Sequence, residues 1–121
     1  MANKLTFNFT TTLTHAVGSA SINVSETRTL TGTGFVSEEQ EIGTGAWEAI
    51  DLTDIGTLGF LVIRNIDPTN YVEIATANDG TQIFGKISAG RGLPVEVASG
   101  VTYYAKANTG SVKIVFLATE A

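Results

Sequence analysis

Apolar and polar residues alternate from the start of the chain. In Lys4-Leu5-Thr6-Phe7-Asn8-Phe9-Thr10, the residues Leu5, Phe7 and Phe9 fall on one side and Thr6, Asn8 and Thr10 on the other. A period of two is that of a half-buried strand, expected here over residues 4 to 14. Ser19 to Asn23 and Thr27 to Val36 are weaker strand candidates, separated by polar residues and by Thr31-Gly32-Thr33-Gly34. They read as a long arm as readily as sheet. An acidic stretch, Ser37-Glu38-Glu39-Gln40-Glu41, then precedes a strand expected around Ala46 to Leu52, in which Trp47 is an anchor either of the core or of an interface.

The pattern becomes more regular beyond that point. Gly59 to Ile66 is almost continuously apolar and predicts a central strand, and after a turn at Asn65-Ile66-Asp67-Pro68-Thr69-Asn70 a more solvent-facing strand is expected at Tyr71 to Ala75. Asn78-Asp79-Gly80 signals a tight turn before a strand over Gln82 to Ile87. Strands follow at Leu93 to Val97, Val101 to Ala107 and Val112 to Ala118, divided by Ser99-Gly100 and Asn108-Thr109-Gly110. This half reads as an antiparallel meander or Greek key. About eight or nine strands with no helical period predict an all-β, single-domain antiparallel β-sandwich, with the jelly roll preferred and an extended N-terminal arm. Residues 1–36 form the arm or first strands, and 37–121 the sandwich core.

Composition narrows the function classes. The 121 residues include 18 Thr, 10 Val and 10 Ile, and 13 Gly beside 2 Pro, a mixture that favours sheet. Only 16% of residues are charged, so Thr, Ser and Asn must supply much of the polar surface. Seven Lys plus Arg against twelve Asp plus Glu give a net charge of −5, and residues 1–60 hold seven of the acids against two bases. Free nucleic-acid binding is disfavoured, because phosphate contacts need clustered positive charge. No cysteine is present, which removes thiolate chemistry and disulfides. No apolar run approaches the ~18 residues of a membrane helix, and no secretory leader is expected; synthesis in a host cytoplasm is.

Catalytic constellations are sparse. His15 is the single histidine, so neither a zinc triad nor a two-histidine pair can form within one chain. Glu48, Asp51 and Asp54 invite a calcium or acid–base reading, but their spacing does not match a calcium loop and reads better as a strand end and turn. Gly85-Lys86-Ile87-Ser88 lacks the glycine-rich approach and following helix of a phosphate loop, and Gly90-Arg91-Gly92 occurs once in an acidic chain. Both read as turns, with Arg91 free to meet a carboxylate on another subunit. No catalytic residue, metal or cofactor is expected. Excess apolar character lies instead in Val101 to Lys106, where Tyr103 and Tyr104 point to opposite faces, and in Val112 to Leu117, apolar on both faces. One face of each must fill the sandwich, and the other needs cover from a loop, an arm or a second subunit.

Two stretches carry a resemblance. Asp54 to Ile74, containing Gly59-Phe60-Leu61-Val62-Ile63-Arg64-Asn65-Ile66-Asp67-Pro68-Thr69-Asn70-Tyr71-Val72-Glu73-Ile74, and Leu93-Pro94-Val95 followed by Gly100 to Asn108, are similar to small β-rich virion proteins of tailed bacteriophages. The resemblance covers roughly residues 50–118. It implies a capsid decoration (cement) protein on the outer head, a homotrimer that binds the major capsid protein, with no nucleic-acid or membrane partner. The alternative it implies is a tail, baseplate or head-fibre accessory module, with a glycan as ligand in host recognition. The interface candidates are Leu5, Phe7 and Phe9 in the arm, with Trp47, Arg91, Tyr103 and Tyr104.

Overall fold

The computed structural model describes residues 3–32, 34–53, 55–98 and 100–120, and every regular element among them is a β-strand. Among these residues no helix is long and apolar enough to cross a membrane. The chain divides into two compact units, Met1–Thr33 and Gly34–Ala121. Asp54 and Ser99, which figured in the carboxylate and turn expectations, lie outside the described residues.

The first unit is a β-hairpin. Strand β1 (Asn3–His15) pairs antiparallel with β2 (Gly18–Leu30) in an unbroken register from Asn3↔Leu30 to His15↔Gly18. Two weak strands expected within residues 19–36 are thus one strand that stops at Leu30. The reason is cross-strand: Ala20, Ile22 and Val24 continue an alternation too faint to stand alone, and thirteen partners on β1 hold it in place.

The second unit holds eight strands in two four-stranded antiparallel sheets. They are β3 (Phe35–Ile42), β4 (Glu48–Ala49), β5 (Leu58–Asn65), β6 (Val72–Ala75), β7 (Ile83–Ile87), β8 (Gly92–Glu96), β9 (Tyr104–Ala107) and β10 (Val112–Glu120). One sheet has the order β3-β10-β5-β8 and the other β4-β9-β6-β7. Within this unit β6 and β7 are the sequence neighbours that pair, so the second half is not a meander. Outward from that hairpin the pairings nest: β5 with β8, β4 with β9, β3 with β10. Cross-pairings of β10 with β5 and β9 with β6 complete the sheets.

Period-two patterning sends one side of each sheet into a shared core. On β10, Val112, Ile114, Phe116 and Ala118 are buried while Lys113 and Leu117 are exposed. Leu61 and Ile63 of the same sheet meet Val72, Ile74, Ile87, Ala105 and Ala107 of the other in one apolar cluster, closed by Ile50, Ile55 and Tyr103 from the connections. Three expectations are corrected by this arrangement. The acidic stretch 37–41 is itself strand, lying on edge strand β3 with its carboxylates largely outward. Only Glu48 and Ala49 of the strand expected over 46–52 are extended and paired. The segment 71–75 is not a solvent-facing neighbour of β5: it crosses to the other sheet, where β6 lies between β9 and β7 with Val72, Ile74 and Ala75 buried. A strand paired on both sides with one face on the core is buried whatever its sequence neighbours do.

Candidate functional site

The hairpin sorts its side chains by face with little mixing. Residues opposite each other in an antiparallel pair share a face. One face carries Lys4, Thr6, Asn8, Thr10, Thr12 and Thr14 against Thr29, Thr27, Ser25, Asn23, Ser21 and Ser19. It is wholly polar, and a hydroxyl pair at 3.0 Å joins Thr6 to Thr27 across it. The other face carries Leu5, Phe7, Phe9 and Leu13 opposite Arg28, Glu26, Val24 and Ala20, with Thr11 opposite Ile22 between them.

Burial along that second face is uneven. Leu5 is buried and Phe7 and Val24 are half-buried, whereas every residue from 8 to 23 is exposed, including Phe9 at 40%, Leu13 at 59% and Ile22 at 65%. The face's two charges satisfy each other. Arg28 donates to Glu26 and its guanidinium lies 5.7 Å from the Phe7 ring centre. That hydrogen bond, with desolvation opposing and the guanidinium charge assisting, holds the Glu26 carboxyl below its ordinary value. At the tip, the two-residue turn Ala16-Val17 is steadied by the Val17 amide donating to His15 Nδ1 at 3.4 Å, and Val17 itself is 92% exposed. His15 therefore acts as a turn cap.

The remaining interface candidates lie in the second unit. Tyr103 is buried in the core, meets Phe84 edge to face with ring centres 6.0 Å apart, and has its hydroxyl pKa raised by desolvation. Tyr104 is the more exposed of the two. Trp47 is half-buried, and its indole lies against Gly80: a Cβ there would sit 2.6 Å from Trp47 Nε1, and the backbone adopts φ of 75°. Glycine is required on both counts. Arg91 is exposed, but its backbone closes a turn, its amide donating to Ser88 O at 3.0 Å and its carbonyl accepting from Asn65 N at 2.9 Å. Gly85, Lys86 and Ile87 lie in β7, in keeping with the strand expected over Gln82 to Ile87 and not with a turn at Gly85-Lys86-Ile87-Ser88, and the Lys86 ammonium is 4.9 Å from the Tyr71 ring centre.

The carboxylates are engaged in holding the backbone. Glu120 accepts from the amides of Gly34 and Gly56, both at 3.0 Å, and Glu48 accepts from Gly43 N at 2.6 Å. Asp51 accepts from the amide and hydroxyl of Thr53. Among the described residues no three His, Asp or Glu side chains converge as a metal site. Glu41, Ile66, Asp67, Pro68, Ser111 and Lys113 line an open depression of about 260 Å³. That is below the usual size of a small-molecule site, roughly 300 Å³ and upward.

Asn65, at the end of β5, has every polar group of its side chain engaged. It is fully buried, with Nδ2 donating to Asn70 O at 2.9 Å and to Ile87 O at 3.0 Å while Oδ1 accepts from Asp67 N at 2.8 Å. Asp67 in turn accepts from the amides of Thr69 and Asn70. The Asn65-Ile66-Asp67-Pro68-Thr69-Asn70 motif is thus a self-bonded crossover between the sheets.

These turns make stability acid-sensitive. The Asp67 carboxyl is held below its usual 3.8 by hydrogen bonds from the Asn70 and Thr69 amides, and Asp79 likewise by the Thr81 hydroxyl and then its amide. A carboxyl lowered on folding contributes stability in full above its unfolded pKa and loses it as pH falls through the folded value. The urea midpoint is therefore expected to be flat from about pH 7 to 5 and to drop below about pH 4. Asp67→Ala and Asp79→Ala together flatten that drop; an unchanged pH profile in the double variant would contradict the assignment.

Leu13, Ile22 and Val24 complete the apolar face begun by Phe7 and Phe9, and the sequence did not single them out. Their signal was available in the pairing of positions equidistant from Ala16-Val17, which brings Phe9 to Val24 and Leu13 to Ala20. No family model, curated protein or solved structure matches this chain.

Proposed function

We propose that this chain is a structural virion module, a jelly-roll β-sandwich that decorates the outer phage capsid by binding the major capsid protein. The observation that carries the reading is the hairpin, an apolar face exposed from Phe9 to Ile22 and free of catalytic groups, which is what an assembly contact requires. The nested pairing of eight strands into β3-β10-β5-β8 and β4-β9-β6-β7 supports the jelly roll, an architecture used by viral capsid and lectin domains. The similarity of residues 50–118 to small phage virion proteins supports the particle. The motif that carries this resemblance falls on β5 and on the Asn65 crossover. A cement role needs no chemistry: many weak contacts repeated over a lattice clamp neighbouring capsomers. The Tyr103 ring is occupied in the core, which weighs against sugar stacking there and hence against the glycan-binding alternative.

The test is co-sedimentation of the purified full chain with phage heads lacking their decoration protein. Saturable binding at fixed stoichiometry is expected. Heads that pellet without it at tens of micromolar, or a chain captured by isolated tails instead, would overturn the capsid reading.

A further inference from the structure

The chain holds four Asp and seven Asn, and of these Asp79 alone is followed by glycine. An aspartyl side chain can cyclise on the amide nitrogen of the next residue, and the side chain of that residue obstructs the approach. Leu52 and Ile55 follow Asp51 and Asp54 with bulky groups, and Pro68 after Asp67 has no amide hydrogen to lose. Gly80 presents neither obstacle. The turn that holds it joins β6 to β7 and leaves Asn78 and Asp79 exposed to water. The Gly80 amide is only lightly engaged, donating to Ala77 O at 3.4 Å, the long end of the hydrogen-bond range.

We propose that Asp79-Gly80 is a site of spontaneous backbone isomerisation, with Thr81 as its guard and Trp47 as the side chain that registers the change. The Gly80 nitrogen attacks Asp79 Cγ; the new C–N bond replaces the C–OH bond, and the amide hydrogen and the hydroxyl leave together as one water. The product is a five-membered succinimide. Solvent water then adds to the carbonyl derived from the Asp79 main chain, and opening there leaves the backbone running through Cγ, with a free α-carboxylate. Atoms balance with water as the sole co-reactant, and the isomer has the mass of the original chain.

Two bonds oppose the first step. Asp79 Oδ1 accepts from the Thr81 hydroxyl at 2.7 Å and from the Thr81 amide at 3.0 Å. A carboxylate is a poor electrophile and a neutral carboxyl a better one, and these bonds, the hydroxyl first and then the amide, favour the anion and hold the carboxyl below its ordinary value. Isomerisation therefore speeds up as pH falls toward the carboxyl range. The base of the turn supplies no further titrating group: Thr76 N donates to Gln82 O at 3.1 Å and the Thr76 hydroxyl to Gln82 Oε1 at 3.0 Å.

Gly80 packs against the indole of Trp47, where a Cβ would fall 2.6 Å from Nε1 and 3.0 Å from Cε2. Isoaspartate inserts one methylene into the backbone beside this contact. A close-packed neighbour cannot absorb that length in place, so the indole must shift. Because Trp47 is the single tryptophan, its emission reports the event.

The full chain, held for weeks in parallel at about pH 5 and about pH 7, spans the window in which carboxyls begin to protonate while the fold persists. Peptide mapping is expected to find a product of unchanged mass and altered retention at Asp79 before any other residue, and more of it at the lower pH. Thr81→Val, which removes the hydroxyl bond and keeps the amide, is expected to form it about fivefold faster, the rate equivalent of one hydrogen bond. Asp79→Glu, whose longer side chain closes a five-membered ring no more, is expected to stay unmodified at this position. Trp47 emission is expected to change in step with the isomer, and an unaltered urea midpoint of fresh Thr81→Val shows that the variant is folded. Isomer appearing first at another residue, equal rates in wild type and folded Thr81→Val, a faster reaction at the higher pH, or unchanged Trp47 emission in fully isomerised protein would each overturn the assignment.

Discussion

Asn65→Asp is expected to lower the unfolding free energy by about 2 to 4 kcal/mol, measured by urea titration with Trp47 fluorescence. A carboxylate can keep the bond from Asp67 N but cannot donate to Asn70 O and Ile87 O, which accept at 2.9 and 3.0 Å. Leaving a buried acceptor without a donor costs about 1 to 3 kcal/mol, and a charge at a fully buried position costs more unless it is neutralised. Protonation is the escape route, since a neutral carboxyl donates one bond. The variant is therefore expected to lose less ground relative to wild type below about pH 5 than at neutral pH. Equal stability of the two proteins at pH 7 would show that the crossover does not depend on the Asn65 amide. The consequence reaches beyond the turn, because Ile87 belongs to the other sheet: the side chain ties the end of β5 to the end of β7.

Phe116→Ala is the larger expected loss, about 3 to 5 kcal/mol, the range for emptying a buried aromatic site. Phe116 is 1% exposed on β10, between β3 and β5, with Ile63 directly opposite it. Its neighbour Leu117 points the other way and is 37% exposed, so Leu117→Ala is expected to cost under about 1 kcal/mol. The contrast tests the orientation of the whole strand. A one-residue slip of β10 would exchange Phe116 for Leu117 and reverse the order of the two effects. Similar losses at both positions would contradict the register.

Strand existence was largely legible because it is written in neighbouring residues. The alternation of Leu5, Phe7 and Phe9, the apolar run before Asn65 and the glycine turns at 80 and 90 each declare themselves locally, and both turn glycines do adopt φ near 75°. Local pattern and structure part where a long-range partner decides. Ala20, Ile22 and Val24 make a continuous strand only because β1 lies alongside. The acidic residues of β3 are extended because β10 pairs with them, despite their poor intrinsic strand preference. Tyr71 to Ala75 follows β5 in sequence but not in the sheet, because consecutive strands here change sheet at almost every connection.

The sequence by itself determined that this protein is all-β, with most of its turns and one strongly two-faced strand. Tertiary structure alone decided which residues form the candidate interaction face, since that face is the sum of two strands in one register: Phe9 and Leu13 acquire Val24, Ile22 and Ala20 only through pairing. It also decided that Tyr103 packs inside and that Asn65 is a bonded pin rather than a surface turn residue. The physical reason is the range of the interactions. Backbone preference and alternation act over a few residues, whereas burial, cross-strand pairing and the satisfaction of a buried amide depend on segments tens of residues apart.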